Sequence, residues 1–110
     1  MKLIRASEVR FADDNLEKEF YKLDKNDELR KYLERAIKDI QLNAFCGIQF
    51  PKKLIPTEYI QKYEVYNLWK YDLPDGWRLI YTVTTPSKVE IVSVILEWFD
   101  HKDYERRFGY

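Results

Sequence analysis

Apolar residues recur along the chain at two spacings, and the change of spacing divides it. Leu16, Phe20 and Leu23 fall three or four apart, as do Leu29, Leu33, Ile37 and Ile40, with Tyr32 and Ala36 beside them. That is the period of a helix with one buried stripe. Asp13-Asp14 precedes the first run, and Asp14 with Glu17 three places on reads as a capping box. Asp24-Lys25-Asn26-Asp27 breaks that run, and Asn26 or Asp27 caps the next. Arg30, Lys31, Glu34, Arg35, Lys38 and Asp39 lie opposite the second stripe and are expected to form a solvated face. Gly47 puts the end of this helix near Phe45. The pattern predicts two antiparallel helices joined by a short turn. Before them, Leu3 to Val9 alternate loosely and read as an opening strand.

Residues Ile48 to Pro56 carry two of the four prolines and read as an extended crossover, with a short helical turn from Pro56-Thr57-Glu58 to about Lys62. From Tyr66 the period changes to that of strands. The runs are Tyr66–Leu73, Trp77–Thr84 and Val89–Trp98, separated by Leu73-Pro74-Asp75-Gly76 and Thr85-Pro86-Ser87-Lys88. In the first of these turns proline presets φ and glycine supplies φ > 0. Ile91-Val92 and Val94-Ile95-Leu96 are apolar on both faces, which marks a central strand. Phe99 onward reads as a polar tail. The expected fold class is α+β, with an N-terminal helical hairpin packed on a C-terminal antiparallel sheet whose other face is partly open. The length of 110 residues makes residues 1–110 a single domain.

Composition narrows the chemistry. Nineteen basic residues balance nineteen acidic ones, so any site for a polyanion has to be a local patch. The only cysteine, Cys46, excludes an internal disulfide and reads as a small buried hydrophobe. Arg5, Glu8 and Arg10 interrupt the opening apolar residues, which argues against a signal peptide. No stretch approaches the roughly 20 apolar residues of a membrane span. A cytoplasmic protein with no membrane partner is expected. One histidine and one cysteine cannot build a structural zinc site, which needs four nitrogen or sulfur ligands. Isolated glycines make no phosphate loop, and no Gly-x-Ser-x-Gly elbow occurs. No metal and no cofactor are expected.

What remains is cationic and C-terminal: Lys70, Arg78, His101, Tyr104, Arg106 and Arg107. Lys70 and Arg78 flank the Pro74-Asp75-Gly76 turn, and the tail follows the last strand. Such a set suits metal-free RNA cleavage, in which Arg and Lys hold the scissile phosphate and His or Tyr moves a proton. Plainer readings stand beside it. Lys70 and Arg78 are equally read as solvated strand residues, and His101 as an exposed tail residue. Arg106 and Arg107 have Asp100, Asp103 and Glu105 to pair with. Trp69, Trp77 and Trp98 read as core or rim, and Tyr59, Tyr63 and Tyr66 as a packing cluster.

The run Gly76-Trp77-Arg78-Leu79-Ile80-Tyr81-Thr82-Val83, then the apolar strand Val89 to Leu96, then His101-Lys102-Asp103-Tyr104, resembles the RelE/ParE toxin superfamily. With the preceding helical hairpin, the resemblance covers most of the chain. It implies a RelE-like α+β fold and, as in many members, ribosome-dependent mRNA cleavage without metal by the toxin of a toxin–antitoxin system. It also implies an antitoxin-like protein partner, with ribosome and mRNA as further partners. Arg78 matches the family's phosphate-contacting strand arginine, Tyr104 a C-terminal tyrosine used in stacking or proton transfer, and Lys70 a strand lysine. His101 is similar in kind to a terminal histidine of other members. The candidate catalytic residues are thus His101, Tyr104 and Arg78; Lys70, and from the local basic patch Arg106 and Arg107, are the candidate substrate-binding residues. Glu97-Trp98-Phe99 stands where members often place a second arginine, and the net charge is zero. Two alternatives stay open: a non-catalytic protein-binding module of the same fold, and a ParE-like gyrase-directed inhibitor.

Overall fold

Two aspartates start the helical pair. Asp13 Oδ1 accepts from the Leu16 amide at 2.8 Å and Asp27 Oδ1 from the Leu29 amide at 2.9 Å. Each satisfies a donor that the helix leaves without an internal partner. The computed structural model, which describes residues 6–109, runs α1 over Asp14–Lys22 and α2 over Glu28–Leu42. The first cap is thus Asp13 rather than Asp14. The second helix stops short of Phe45 because Asn43 turns extended and its side chain takes the Phe45 amide at 3.0 Å. Leu33, Ala36 and Ile40 are buried as the stripe predicts, while Leu29 and Ile37 are half-buried.

Arg30 does not belong to a solvated face: it is 7% exposed. Its guanidinium donates to the carbonyls of Phe20 (3.3 Å) and Leu23 (3.0 Å), lies 4.3 Å from the Phe20 ring centroid, and pairs with Glu34 at 2.7 Å. A cation at the carboxyl end of α1 meets the unsatisfied carbonyls there, which is why this charge is buried.

The strands are β1 Glu8–Phe11, β2 Ile48–Gln49, β3 Trp69–Asp72, β4 Arg78–Ser87 and β5 Glu90–Phe99. They form one sheet in the order β1-β5-β4-β3-β2. The sheet is mixed, not antiparallel throughout, because β1 pairs parallel to β5. A strand precedes the helices, as the opening run suggested, but it spans Glu8–Phe11. Alternation of side chains reports that a segment is extended but not which neighbour it takes or in which direction. Of the opening strand read from the sequence, Leu3 to Arg5 lies outside the described residues. β5 is central, between β1 and β4, as its apolar faces imply. β4 runs through Thr85-Pro86 to Ser87, and its pairing with β5 skips between Thr84 and Ser87. Proline has no amide for the ladder, so the irregularity falls there and the turn moves to Lys88-Val89.

Two more helices follow, α3 over Thr57–Tyr63 and α4 over His101–Phe108. The C-terminal stretch is therefore a helix rather than a loose polar tail. Asp100 caps it by accepting from the Asp103 amide at 2.8 Å, and Gly109 ends it with φ 77°. Among the described residues no helix is long and apolar enough to cross a membrane.

The sheet buries residues on both faces. Phe20, Leu33, Ala36 and Ile40 of α1 and α2 meet Leu79, Tyr81, Val83 and Ile95 on one face. Phe50, Tyr59, Val65, Leu68 and Tyr104 meet Ile80 and Leu96 on the other. The second face, expected to be partly open, is thus covered by α3 and α4 over β3, β4 and β5. A cleft of about 360 Å³ stays open there, lined by residues including Ala12, Tyr63, Tyr66, Thr84 and Val94. Tyr59 and Tyr63 join that second core but Tyr66 is exposed, and Cys46 is exposed rather than buried.

Candidate functional site

The site begins with strand register. Lys70 and Asp72 are two apart on β3, so both project from the same face. Asp72 stands opposite Arg78, Lys70 opposite Ile80, and Arg78 opposite Phe99 of β5. Ile80 and Phe99 belong to the core beneath α4, so Lys70, Asp72 and Arg78 point to that side too. The connection from β3 to β4 is tight: the Leu73 amide donates to the Trp77 carbonyl at 2.8 Å, and Asp75 and Gly76 both take positive φ. Glycine is required at 76 on a second count. A Cβ there would lie 2.9 Å from His101 Cβ, so α4 begins packed directly on this turn.

A bulge supplies the other half of the site. Ile80 pairs with Glu97 but Tyr81 pairs with Ile95, which leaves Leu96 as the extra residue. Leu96 and Glu97 in succession consequently face α4, and Glu97 reaches Arg107 at 3.2 Å. Re-aiming a side chain in this way is what bulges do.

Tyr104 is the inward face of α4, only 3% exposed. The Arg78 guanidinium lies 5.1 Å and the Lys70 ammonium 5.7 Å from its ring centroid, both within cation–π range. Phe108, one turn on, lies 4.8 Å from Tyr104 and stacks on Phe50 at 4.7 Å, fixing the helix to the sheet. Asp72 bridges the two cations, with Oδ1 2.9 Å from Arg78 Nε and 3.2 Å from Lys70 Nζ. The first contact is an ion pair off the line of a hydrogen bond. Arg78 also donates to the Trp77 carbonyl at 3.2 Å.

His101 sits on the outer side of α4, with its side chain 61% exposed and Nε2 2.5 Å from Glu105 Oε1. The helical turn that joins His101 to Tyr104 is present, yet the two side chains differ: one is at the surface and the other in the core. Arg107 belongs to a separate cluster, 3.2 Å from Glu97 and 3.5 Å from Glu58, over the rings of Phe99 (5.4 Å) and Tyr59 (5.7 Å). Burial, then the neighbouring Glu97 carboxylate, pushes the Tyr59 hydroxyl well above the ordinary tyrosine range. Arg106 is exposed and 3.6 Å from Asp103.

Of the six residues singled out in the sequence, three meet at one end of the sheet, Lys70, Arg78 and Tyr104, while His101 lies on the outer side of α4 against the Gly76 turn. Arg107 ties α4 to α3 and β5, and Arg106 stands at the rim. Sequence reasoning missed Asp72, Glu97 and Glu105. Asp72 had a signal, since a residue two after Lys70 in a strand must share its face. Glu97 had none, because its direction depends on the bulge. Among the described residues, no group of three His, Cys, Asp or Glu side chains is placed to hold a metal ion. Lys70 and Arg78 are the cationic donors at this end of the sheet, both in contact with Asp72. No protein-family model, curated protein or solved structure matches the chain, so its function is read from this geometry and sequence alone.

Proposed function

We propose that the chain is a RelE-like toxin-family protein that cuts ribosome-bound mRNA without a metal and is held in check by a small acidic, antitoxin-like partner. One observation carries this reading: Arg78 and Lys70 converge over Tyr104 at the sheet end where His101 begins α4. Arg78 and Lys70 receive the scissile phosphate and stabilise the charge it gains. The 2′-hydroxyl attacks that phosphate, its proton is removed, and the 5′-oxygen of the next nucleotide leaves with a proton. His101 is the residue assigned to move that proton. Glu105 on its Nε2 leaves Nδ1 for that work. Tyr104 holds the two cations from below rather than stacking on a base, because its ring is buried.

Each cation already has a carboxylate within ion-pair distance, Asp72 for both. That observation favours one other reading, a protein-binding member of the same fold without nuclease activity. Cleavage of ribosome-bound message separates the two. Arg78→Ala should lose roughly 10²–10³ in rate and His101→Ala roughly 10²–10⁴, whereas Tyr104→Phe, which keeps the ring, loses least. Growth arrest on induced expression, relieved by the neighbouring gene product, supports the toxin. Absence of cutting by the wild type on ribosomes of its own source would leave the binding module.

A further inference from the structure

We infer that Asp72 is a specificity-determining residue of the Lys70–Arg78 site, placing a carboxylate between the two cations so that the site loses affinity for doubly charged phosphomonoesters more than for singly charged phosphodiesters. This rests on the phosphate-binding reading of that site and adds to it a substrate class and a residue that sets it.

Three features support the assignment. The carboxylate contacts both cations, at 2.9 Å from Arg78 and 3.2 Å from Lys70. It is also the outermost of the three: its side chain is 46% exposed, against 18% for Arg78 and 20% for Lys70. With Tyr104 closing the inner side, an incoming anion meets the cations at the side where Asp72 stands. Lastly, Asp72 cannot drift away, because its backbone is the last ladder position of β3, opposite Arg78. The other nearby carboxylates are engaged elsewhere: Asp75 accepts from Tyr32 at 3.1 Å, Glu105 pairs with His101, and Glu97 pairs with Arg107. Among the described residues, no other carboxylate is within ion-pair distance of Lys70 or Arg78.

Two positive charges and one negative leave one net positive charge, which equals in size the single charge of an internal RNA phosphate. A terminal monoester carries close to two charges at pH 7. The repulsion from a fixed carboxylate scales with the charge of the ligand. At about 6 Å in a partly solvated site, one unit charge changes affinity by about threefold to tenfold for each ligand charge. The penalty is therefore roughly squared for the monoester. Asp72 lowers the affinity of both ligands, but it disfavours chain ends more than chain interiors.

The test compares the wild type with Asp72→Asn and Asp72→Ser. The ligands are 2′-deoxyuridylyl-(3′→5′)-adenosine, an uncleavable diester, and 2′-deoxyuridine 3′-monophosphate. Binding is followed at low salt through the Arg78 Nε–Hε NMR signal. Both variants should tighten diester binding about threefold to tenfold and monoester binding about tenfold to a hundredfold. Equal gains for the two ligands, or weaker binding by both variants, would overturn the proposal and make Asp72 a residue that merely orders the cations. Binding by the variants alone would also overturn it, because Asp72 would then close the site to both ligands rather than choose between them. No binding by any of the three proteins removes both.

Discussion

The two faces of one sheet are built on different rules. On the face covered by α1 and α2, the core is apolar and its polar groups serve the backbone. The Tyr81 hydroxyl donates to the Ala44 carbonyl at 2.8 Å and accepts from the Gly47 amide at 3.1 Å, and Arg30 closes the end of α1. On the face covered by α3 and α4, charge reaches the edge of the core. Arg78 and Lys70 lie on Tyr104, and Arg107 lies on Tyr59 and Phe99, each held by carboxylates. Ions beside a core cost desolvation, which pairing only partly returns. The α1 and α2 face carries one such ion, Arg30, whose donors are taken by the Phe20 and Leu23 carbonyls at a helix end and by Glu34. The difference teaches where to look for function: on the face where several cations gather on rings instead of closing a helix.

The comparison is broken most directly by truncating one core residue on each face. Ile40→Ala beneath α2 and Leu68→Ala beneath α3 and α4 remove side chains that are wholly buried. Each should cost ~2–5 kcal/mol in chemical denaturation. Ile37→Ala should cost less than Ile40→Ala, since Ile37 is only half-buried. A loss below about 1 kcal/mol for Leu68→Ala would mean that the second face is a loosely attached cover rather than a core.

Alkali tests both faces together. Burial, then the Asp39 carboxylate that accepts the Tyr71 hydroxyl, pushes Tyr71 up to about 12. Burial raises Tyr81 on the same face and Tyr59 on the other. A tyrosine whose folded pKa is raised favours the protonated state. Its contribution is fully present below the unfolded pKa near 10 and is lost as pH rises toward the folded value. Melting temperature should hold up to about pH 10 and then fall. Each group contributes at most ~1.4 kcal/mol per pH unit, and less for Tyr71, which solvent partly screens. Tyr71→Phe should soften that fall, and an unchanged profile would show that Tyr71 ionises as freely folded as unfolded.

Legibility in the sequence divides along the same line. The α1 and α2 side was readable because its signals are local: caps at aspartates, a stripe at helical spacing, and a turn between. Arg30 escaped because its role depends on where the end of α1 lies. On the other side, α4 carried readable marks in Asp100, Gly109 and the i, i+4 pair Tyr104 and Phe108, yet its charges disguised it as a tail. The strand positions of Lys70 and Arg78 were legible, and so was their proximity across a short turn. The parallel pairing of β1 and the turning of Glu97 toward α4 were not, because both follow from long-range register.

Arg107 sharpens the contrast at a smaller scale. Its side chain is about one-third exposed, and it joins Glu97 and Glu58 across three elements. Arg107→Ala should cost about 1–2 kcal/mol, between the worth of a surface pair and a buried one. Arg107→Lys should recover only part, since an ammonium lacks the planar fork that serves two carboxylates. If both variants melt like the wild type, the charges at the edge of this core are decoration.

The smallest effect separates stability from function. Asp27 and Asp100 make the same kind of cap, accepting from backbone amides at 2.9 and 2.8 Å. Replacing either with alanine should cost ~1 kcal/mol of global stability. Their consequences for the site differ because of what each helix carries. The first turn freed by Asp27→Ala bears Leu29 and Arg30 and lies on the α1 and α2 face. The first turn freed by Asp100→Ala bears His101 and Tyr104, which also loses its hold on the Gly76 turn. At matched stability, Asp27→Ala should therefore bind and cut like the wild type. Asp100→Ala should lose proton-transfer activity severalfold while the Arg78 Nε–Hε signal still responds to the diester, because Lys70 and Arg78 are held by the sheet. Equal activity in the two variants would mean that α4 positions nothing that the reaction uses, and His101 would fall from the site while the cation pair remained.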